Sequence, residues 1–360
     1  QTLEPLYPRY VSTVDSGNFI CYLIAVCAAV YEYAGERSEK LVMRIKKLIS
    51  ETKFNVLFDS DKGLFSVGFS VDENKLSNSY YDMLESEARQ TVFLSVARGE
   101  IKTESWFRLS RSLVSNDGYF GLVSWTGTMF EDFMPLILMR EYKNTLLYES
   151  SRFAIRSQKK FAAKRGMPWG VSESGFFGFD ASMNYQYKAF GIPSLALKRG
   201  MIRESVAAPY ATLLALMVDT DEALKNLKRL KKLGAVGEYG FYEALDYTAG
   251  RVGNEKYAIV KSYMAHHQGM GFASVVNVLC HNIMQKRFEK FPEVKACLSL
   301  LSERVPDGVL KSKPQNEKYR RNKKAVHKNE PCVRNFSGGK NPLHMHALSN
   351  GTYSLLIDER

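Results

Sequence analysis

The sequence predicts an all-α fold, a toroid of about nine to twelve helices, and three observations predict it. Apolar residues recur at helical spacing almost throughout, strand signals are few, and the segments between helical stretches are rich in glycine and aromatic residues. Such loops would converge on one end of a ring and form a pocket. At 360 residues with 45% hydrophobic and 12% aromatic content, the chain can bury a large core as one big domain or two smaller ones.

Taken in order, helical patterns cover 19–34 and 38–50. The apolar run from Phe19 to Tyr31 has 13 residues, fewer than the roughly 20 a bilayer requires, and reads as a buried helix. "LFDSDKGLFSVGF" (57–69) predicts a hairpin with glycine at its turn. Helical spacing resumes over 79–98. Met129, Phe130, Phe133, Met134, Ile137 and Leu138 share one face of a helix starting near Thr126. Further helices follow at 145–164 and 205–218. Leu224, Leu227, Leu230 and Leu233 repeat between basic residues over 220–233, with Gly234 as the stop. The last two helical patterns lie at 257–280 and 293–303.

Charge and cysteines set the boundaries. Segment 311–340 carries ten Lys/Arg and two Glu, +8 of the chain's net +12, and with two prolines and a Gly-Gly it reads as a solvated linker. An accessory contact with a polyanion, lipid or nucleic acid, is the alternative; no nucleic-acid function is expected of the mildly basic body. Beyond the linker, "HMHALSNGTYSLLIDER" predicts strands beginning another domain. Five scattered cysteines without a CxxC pair point to neither disulfides nor structural zinc and fit a reducing, cytoplasmic setting. With no initiator Met or targeting signal, the chain reads as a fragment of a longer one.

The chemistry concentrates in loops. Glu173 sits between two serines amid Trp169, Phe176, Phe177, Phe179, Tyr185 and Tyr187. Carboxylates beside aromatic platforms suit a carbohydrate site, where acids move protons and rings stack on sugar faces. An unpaired carboxylate in such surroundings is costly, which points to catalysis; capping of a following helix or pairing with Lys188 is the alternative. Glu87 reads from its neighbours Glu85 and Arg89 as an ordinary helix-surface charge. Glu131, at a helix start, either caps that helix or binds substrate. Glu243 and Asp246, spaced i, i+3 on an expected short helix beside Tyr242 and Tyr247, read as sugar ligands. Asp15 is either a helix N-cap or a ligand for a sugar hydroxyl. Trp125 and Trp169 adjoin glycine or proline in loops, favouring stacking on glucose over burial. His266 and His267 point about 100° apart on a helix and lack an HExxH pattern, so no metal is expected. One of them, with Gln268 alongside, is placed in the pocket donating to a sugar or a carboxylate. "GFFGF" lacks GxGxxG spacing and a preceding strand, and no cofactor or nucleotide-sugar site is expected here.

The motifs "PRYVSTVDSGN", "SNSYYDMLESEAR", "SWTGTMFEDFMPLILM", "PWGVSESGFFGFDASMNYQYKAFGIPSLALKRG", "APYATLLALM", "GEYGFYEALDYT", "VKSYMAHHQGM" and "MQKRFEKFPEVKACLSLLSERVP" together resemble the glucoamylase-like middle domain of cyclic β-1,2-glucan synthases. The likeness runs in order from about Tyr7 to Pro306. It implies an (α/α)6 barrel over 1–306 that cuts linear β-1,2-glucan and rejoins it into a ring with retained anomeric configuration. It further implies a linker over 307–341 and the start of a phosphorylase-like region over 342–360. In related endo-β-1,2-glucanases the same fold hydrolyses the polymer. Carried over by position, the glutamate of the "SES" motif, Glu173, is the expected nucleophile. That of "SEAR", Glu87, is the expected acid/base, acting through a substrate hydroxyl. The implied partners are the glucan and the glycosyltransferase and phosphorylase-like domains of the same synthase, with a membrane engaged only by other parts of it, on the cytoplasmic side.

Overall fold

A computed structural model describes residues 5, 7–305, 308–315, 346–349 and 354–357. Among them are twelve α-helices: α1 (Thr13–Ala34), α2 (Glu39–Glu51), α3 (Arg89–Ala97), α4 (Glu104–Arg108), α5 (Met129–Phe133), α6 (Leu146–Ala163), α7 (Pro209–Leu214), α8 (Thr220–Lys232), α9 (Ala249–Val252), α10 (Ala265–Leu279), α11 (Ile283–Phe288) and α12 (Pro292–Ala296).

Two kinds of helix alternate along the chain. α2, α6 and α8 are strongly amphipathic: α2 buries Val42, Ile45 and Ile49, and α8 buries Ala223, Leu227 and Leu230. Of the leucine repeat predicted in α8, Leu224 stays exposed, because a spacing of three drifts off a face whose period is 3.6. α1, α3 and α10 lack a sharply polar face, and α3 buries eight consecutive residues from Arg89 to Val96. A helix apolar all round needs neighbours on both sides, and the packing supplies them. α1 contacts α3, α5 contacts α7, α7 contacts α10, α10 contacts α11, and α11 returns to α1. α3 joins α5 through Arg89, whose Nη2 donates to the Asp132 carbonyl at 2.9 Å. The amphipathic α2, α6 and α8 lie against α1, α5 and α7.

α1 lies in a stretch apolar and long enough, by composition, to cross a membrane. Here it packs on α2, α3 and α11 and buries Ile20, Cys21, Ile24 and Ala25. Where it crosses α3, a Cβ on Gly17 would come within 1.8 Å of Thr91 Oγ1, so glycine sets the separation of the two helices.

Several expectations are corrected. Short antiparallel strands, two to six residues each, fill the loops that an all-α reading leaves irregular. The helix expected over 79–98 begins only at Arg89; Tyr80–Tyr81 is a strand, and Met83 bridges Ser110. Residues 244–246 form a strand between Val206–Ala207 and Ala258–Val260, so Glu243 and Asp246 are not on a helix. The helix expected over 257–280 is strand Ala258–Val260 followed by α10. The hairpin near 57–69 is present as Phe58–Asp59 paired with Leu64–Ser66, with Gly63 at φ +68°.

The basic segment starts against the body rather than in solvent. Ser312 pairs with the strand Leu113–Asn116, Lys311 lies 4.0 Å over the Phe120 ring, and Gln315 donates to the Leu197 carbonyl. Its remainder, 316–340, lies outside the described residues. Strands His346–Ser349 and Ser354–Ile357 pair as an antiparallel hairpin.

Candidate active site

Glu87 occupies the turn just before α3. The chain there alternates: Glu85 and Arg89 face the core as an ion pair of 3.0 Å, 3% and 1% exposed, while Glu87 between them is only half-buried. Ser86 Oγ accepts from the Ala88 backbone N–H and donates to Glu87 Oε2, both at 3.2 Å. Burial lifts the Glu87 carboxyl to about 8, helped by the negative charges of Glu131 and Glu173 and opposed by the Ser86 hydroxyl.

Glu173 leads into a β-hairpin, Ser174–Phe179 against Tyr185–Lys188. No helix follows it to be capped, and Lys188 is taken by Glu204, which corrects both structural alternatives. Its backbone is fixed instead. The Tyr210 hydroxyl donates to the Glu173 carbonyl at 2.9 Å and stands 2.8 Å from Ser172 Oγ, which also accepts from the Phe130 N–H at 3.0 Å. Burial raises the Glu173 carboxyl to about 7; Tyr187 hydrogen-bonds it and works the other way, and Glu131, Asp15 and Glu243 add repulsion. Glu87, Glu173 and Asp15 all act on the Tyr81 phenol, so α1, the turn before α3 and the hairpin meet around one space.

The remaining expected site residues divide. Trp125 is 58% exposed on a loop and available to a ligand. Trp169 is 6% exposed and part of the core, so its ring is not a platform; its carbonyl accepts from Asn226. Asp15 is exposed in the first turn of α1 and is not the N-cap, which is Ser12, whose Oγ accepts from the Asp15 N–H. Glu131 closes a capping box with Thr128 and accepts from Ser124, Thr126 and Thr128, so its carboxylate is engaged internally rather than by substrate. Glu243, 2% exposed, is likewise internal: it accepts from the Gly175 N–H at 3.0 Å and from His267 Nδ1 at 2.9 Å. Asp246 accepts from the Phe177 N–H and pairs with Arg251, so two carboxylates line the hairpin's inner edge where another strand would otherwise lie.

His267 is fully buried and donates to a carboxylate rather than a sugar, while His266 beside it is exposed. Gln268 donates to the Phe241 carbonyl. Tyr242 tilts against Tyr263. Tyr185 packs on Phe179 with ring centroids 4.8 Å apart, and its hydroxyl accepts from the Lys261 N–H. Among the described residues no group of three or more His, Cys, Asp or Glu is arranged to hold a metal. Tyr81, Arg89, Tyr187 and Tyr210 are the participants that residue-by-residue reading left unassigned. All four lie inside the motifs quoted above, and that membership was the available signal.

The architecture is that of helix-rich, glucoamylase-like proteins. A glucoamylase structure from Bacteroides fragilis superposes with a TM-score of 0.66 at 20% identity, covering 83% of this chain and 72% of that one. The endo-β-1,2-glucanase from Chitinophaga pinensis, in complex with sophorotriose and glucose, gives 0.63 at 18% identity, covering 81% and 71%. The Talaromyces funiculosus endo-β-1,2-glucanase with β-1,2-glucan gives 0.65 at 15%, covering 86% and 71%. In sequence, the cyclic β-(1,2)-glucan synthase NdvB of Rhizobium meliloti (strain 1021) is 35% identical over 365 residues, 96% of this chain. The chain spans 13% of that protein's length. The family described as "Putative glucoamylase" matches residues 79–292, more than half of the chain, and the chain belongs to that family.

Proposed function

We propose that this chain is the catalytic module of a β-1,2-glucan-processing enzyme and that it transfers rather than hydrolyses, closing linear β-1,2-glucan into a ring with retention. The carrying observation is the pair of carboxyls on separate segments, Glu87 and Glu173, each lifted toward neutrality and the second adding its charge to the first. Such a pair holds one proton at neutral pH, which lets one member attack while the other donates. We assign the fold to the (α/α)6 class, supported by the helix circuit and the alternation of inner and amphipathic outer helices.

In this mechanism the Glu173 carboxylate attacks the anomeric carbon. The glycosidic bond breaks, and the leaving oxygen takes the Glu87 proton through a substrate hydroxyl. The far hydroxyl of the same glucan then attacks the glycosyl ester, returns a proton to Glu87 and frees Glu173. The synthase relative favours this reading; the glucanase neighbours favour hydrolysis, in which water takes the second step. We further propose that 1–306 is the catalytic domain, 307–341 a linker and 342–360 the start of a phosphorylase-like region, within a longer synthase acting on the cytoplasmic side of a membrane.

Chromatography of products from linear β-1,2-glucan separates the readings. Rings are expected, and dominance of reducing oligosaccharides overturns transfer. Glu173→Gln and Glu87→Gln are each expected to lose about 100-fold or more in kcat; a variant indistinguishable from the parent rejects the catalytic assignment. The pH profile of kcat/KM should be bell-shaped, its limbs belonging to the pair near about 7 and about 8.

A further inference from the structure

We infer that Glu243, His267 and Tyr187 form a positioning chain that holds Glu173 ready as a nucleophile and follows its charge through the reaction. This rests on the assignment of Glu173 above. The chain begins at Glu243, whose carboxylate accepts from the Gly175 N–H, two residues past Glu173, and from His267 Nδ1. That carboxylate fixes the backbone next to the nucleophile and the imidazole with the same two oxygens. The His267 ring lies flat on Tyr210, centroids 3.7 Å apart and planes 7° apart, and Tyr210 holds the Glu173 carbonyl. On its other side His267 stacks on Tyr187 at 6.0 Å.

A proton count then assigns the Tyr187 hydroxyl. His267 has Nδ1 committed to Glu243, leaving Nε2 3.4 Å from Tyr187 Oη, at the long limit of a hydrogen bond. Tyr187 also hydrogen-bonds Glu173 and has one hydrogen to give. While Glu173 is a carboxylate, the charge-assisted bond draws that hydrogen. Once Glu173 is an ester in the glycosyl intermediate, its charge is gone and His267 Nε2 becomes the better acceptor. The phenol thus stabilises the attacking state and lets go of the spent one, with no proton leaving the chain of groups.

Tyr187→Phe tests this, and the half-exposed ring makes folding of the variant a modest demand. Groups that also bear on Glu173 are Asp15 on α1, Tyr81, Glu87, Glu131 on α5, Tyr210 on α7, and Glu243 with the two histidines at the start of α10. None changes in that variant. The acidic limb of kcat/KM is expected to move up by about 1–2 pH units, the worth of one hydrogen bond to a charge. Activity lowered equally at every pH, with the limb unmoved, overturns the chain. His267→Asn keeps a donor toward Glu243 and removes Nε2; it should slow breakdown of the intermediate more than its formation, read as a larger burst. No change in that ratio overturns the switching role. Titration of the Glu173 carboxyl by carbon NMR in parent and Tyr187→Phe reads the same shift without turnover. A parent inactive on β-1,2-glucan with a shifted carboxyl therefore rejects the proposed function and leaves the chain standing. An unshifted carboxyl rejects the chain alone.

Discussion

The two acids reach nearly the same state by opposite construction. Around Glu87 the support is packed and charged: the buried Glu85–Arg89 pair, a carbonyl of α5 bonded to the same guanidinium, and Gly17 letting α1 close on α3. Around Glu173 it is aromatic and hydrogen-bonded, built from Tyr210, His267, Tyr187 and the carboxylates of Glu243 and Asp246. A residue that only gives and takes a proton can stand on a rigid base. One that forms a covalent bond and loses its charge needs partners able to turn with it. The buried cluster also carries excess acid: Asp132 is pushed well up by burial and by Glu85 and Glu131, and Glu141 to about 7 by burial. A single guanidinium, Arg89, answers Glu85 and Asp132 together.

The comparison breaks most sharply at Arg89. Arg89→Met strands buried acids and is expected to cost about 3–5 kcal/mol in denaturant unfolding, whereas Tyr187→Phe on the other side should leave stability nearly unchanged. Next come the acids themselves. A carboxyl raised in the fold keeps a proton that the unfolded chain has already released, so stability falls as pH rises from the ordinary carboxyl range to the raised value. Glu87→Gln and Glu173→Gln should therefore melt above the parent at pH 8, by on the order of 1–3 kcal/mol, with the gap closing near about pH 4. Glu87, held at about 8 against about 7, should gain more. A gap independent of pH contradicts the electrostatic account. Gly17→Ala pushes α1 off α3 and should cost about 1–3 kcal/mol by calorimetry, with the loss of kcat traced to the Glu87 side. The smallest effect is expected at Trp125→Ala: KM raised several-fold, from about 0.5–1.5 kcal/mol of ring stacking, with thermal stability unchanged.

Long, one-sided helices were legible because their pattern repeats over enough residues to average out exceptions: α2, α6 and α8 sit within a residue or two of their predicted limits. The strand regions were not. Strands of two to four residues are shorter than any periodicity, and Glu243 with Asp246 at i, i+3 mimics a helix face. Glu85 and Arg89 show the converse failure, since an i, i+4 ion pair reads as solvent-facing and here is almost wholly buried. The motif around Glu173 announced the site. It could not announce His267 against Glu243, or Tyr210 beneath both, because such contacts are set by how α7 and α10 pack, and no local pattern encodes that.

Two glycines set a limit on how this protein can vary. A Cβ on Gly191 would sit 1.7 Å from the Thr126 carbonyl oxygen, and one on Gly127, at φ +70°, would sit 2.6 Å from the Ile192 oxygen. Backbone lies on backbone there, so the loop bearing Trp125 and the strap leaving the hairpin behave as one welded piece. Any widening of the cleft to admit a bulkier or branched polymer must come from another wall, and selection for new specificities should leave these two positions untouched while the exposed aromatics around them drift.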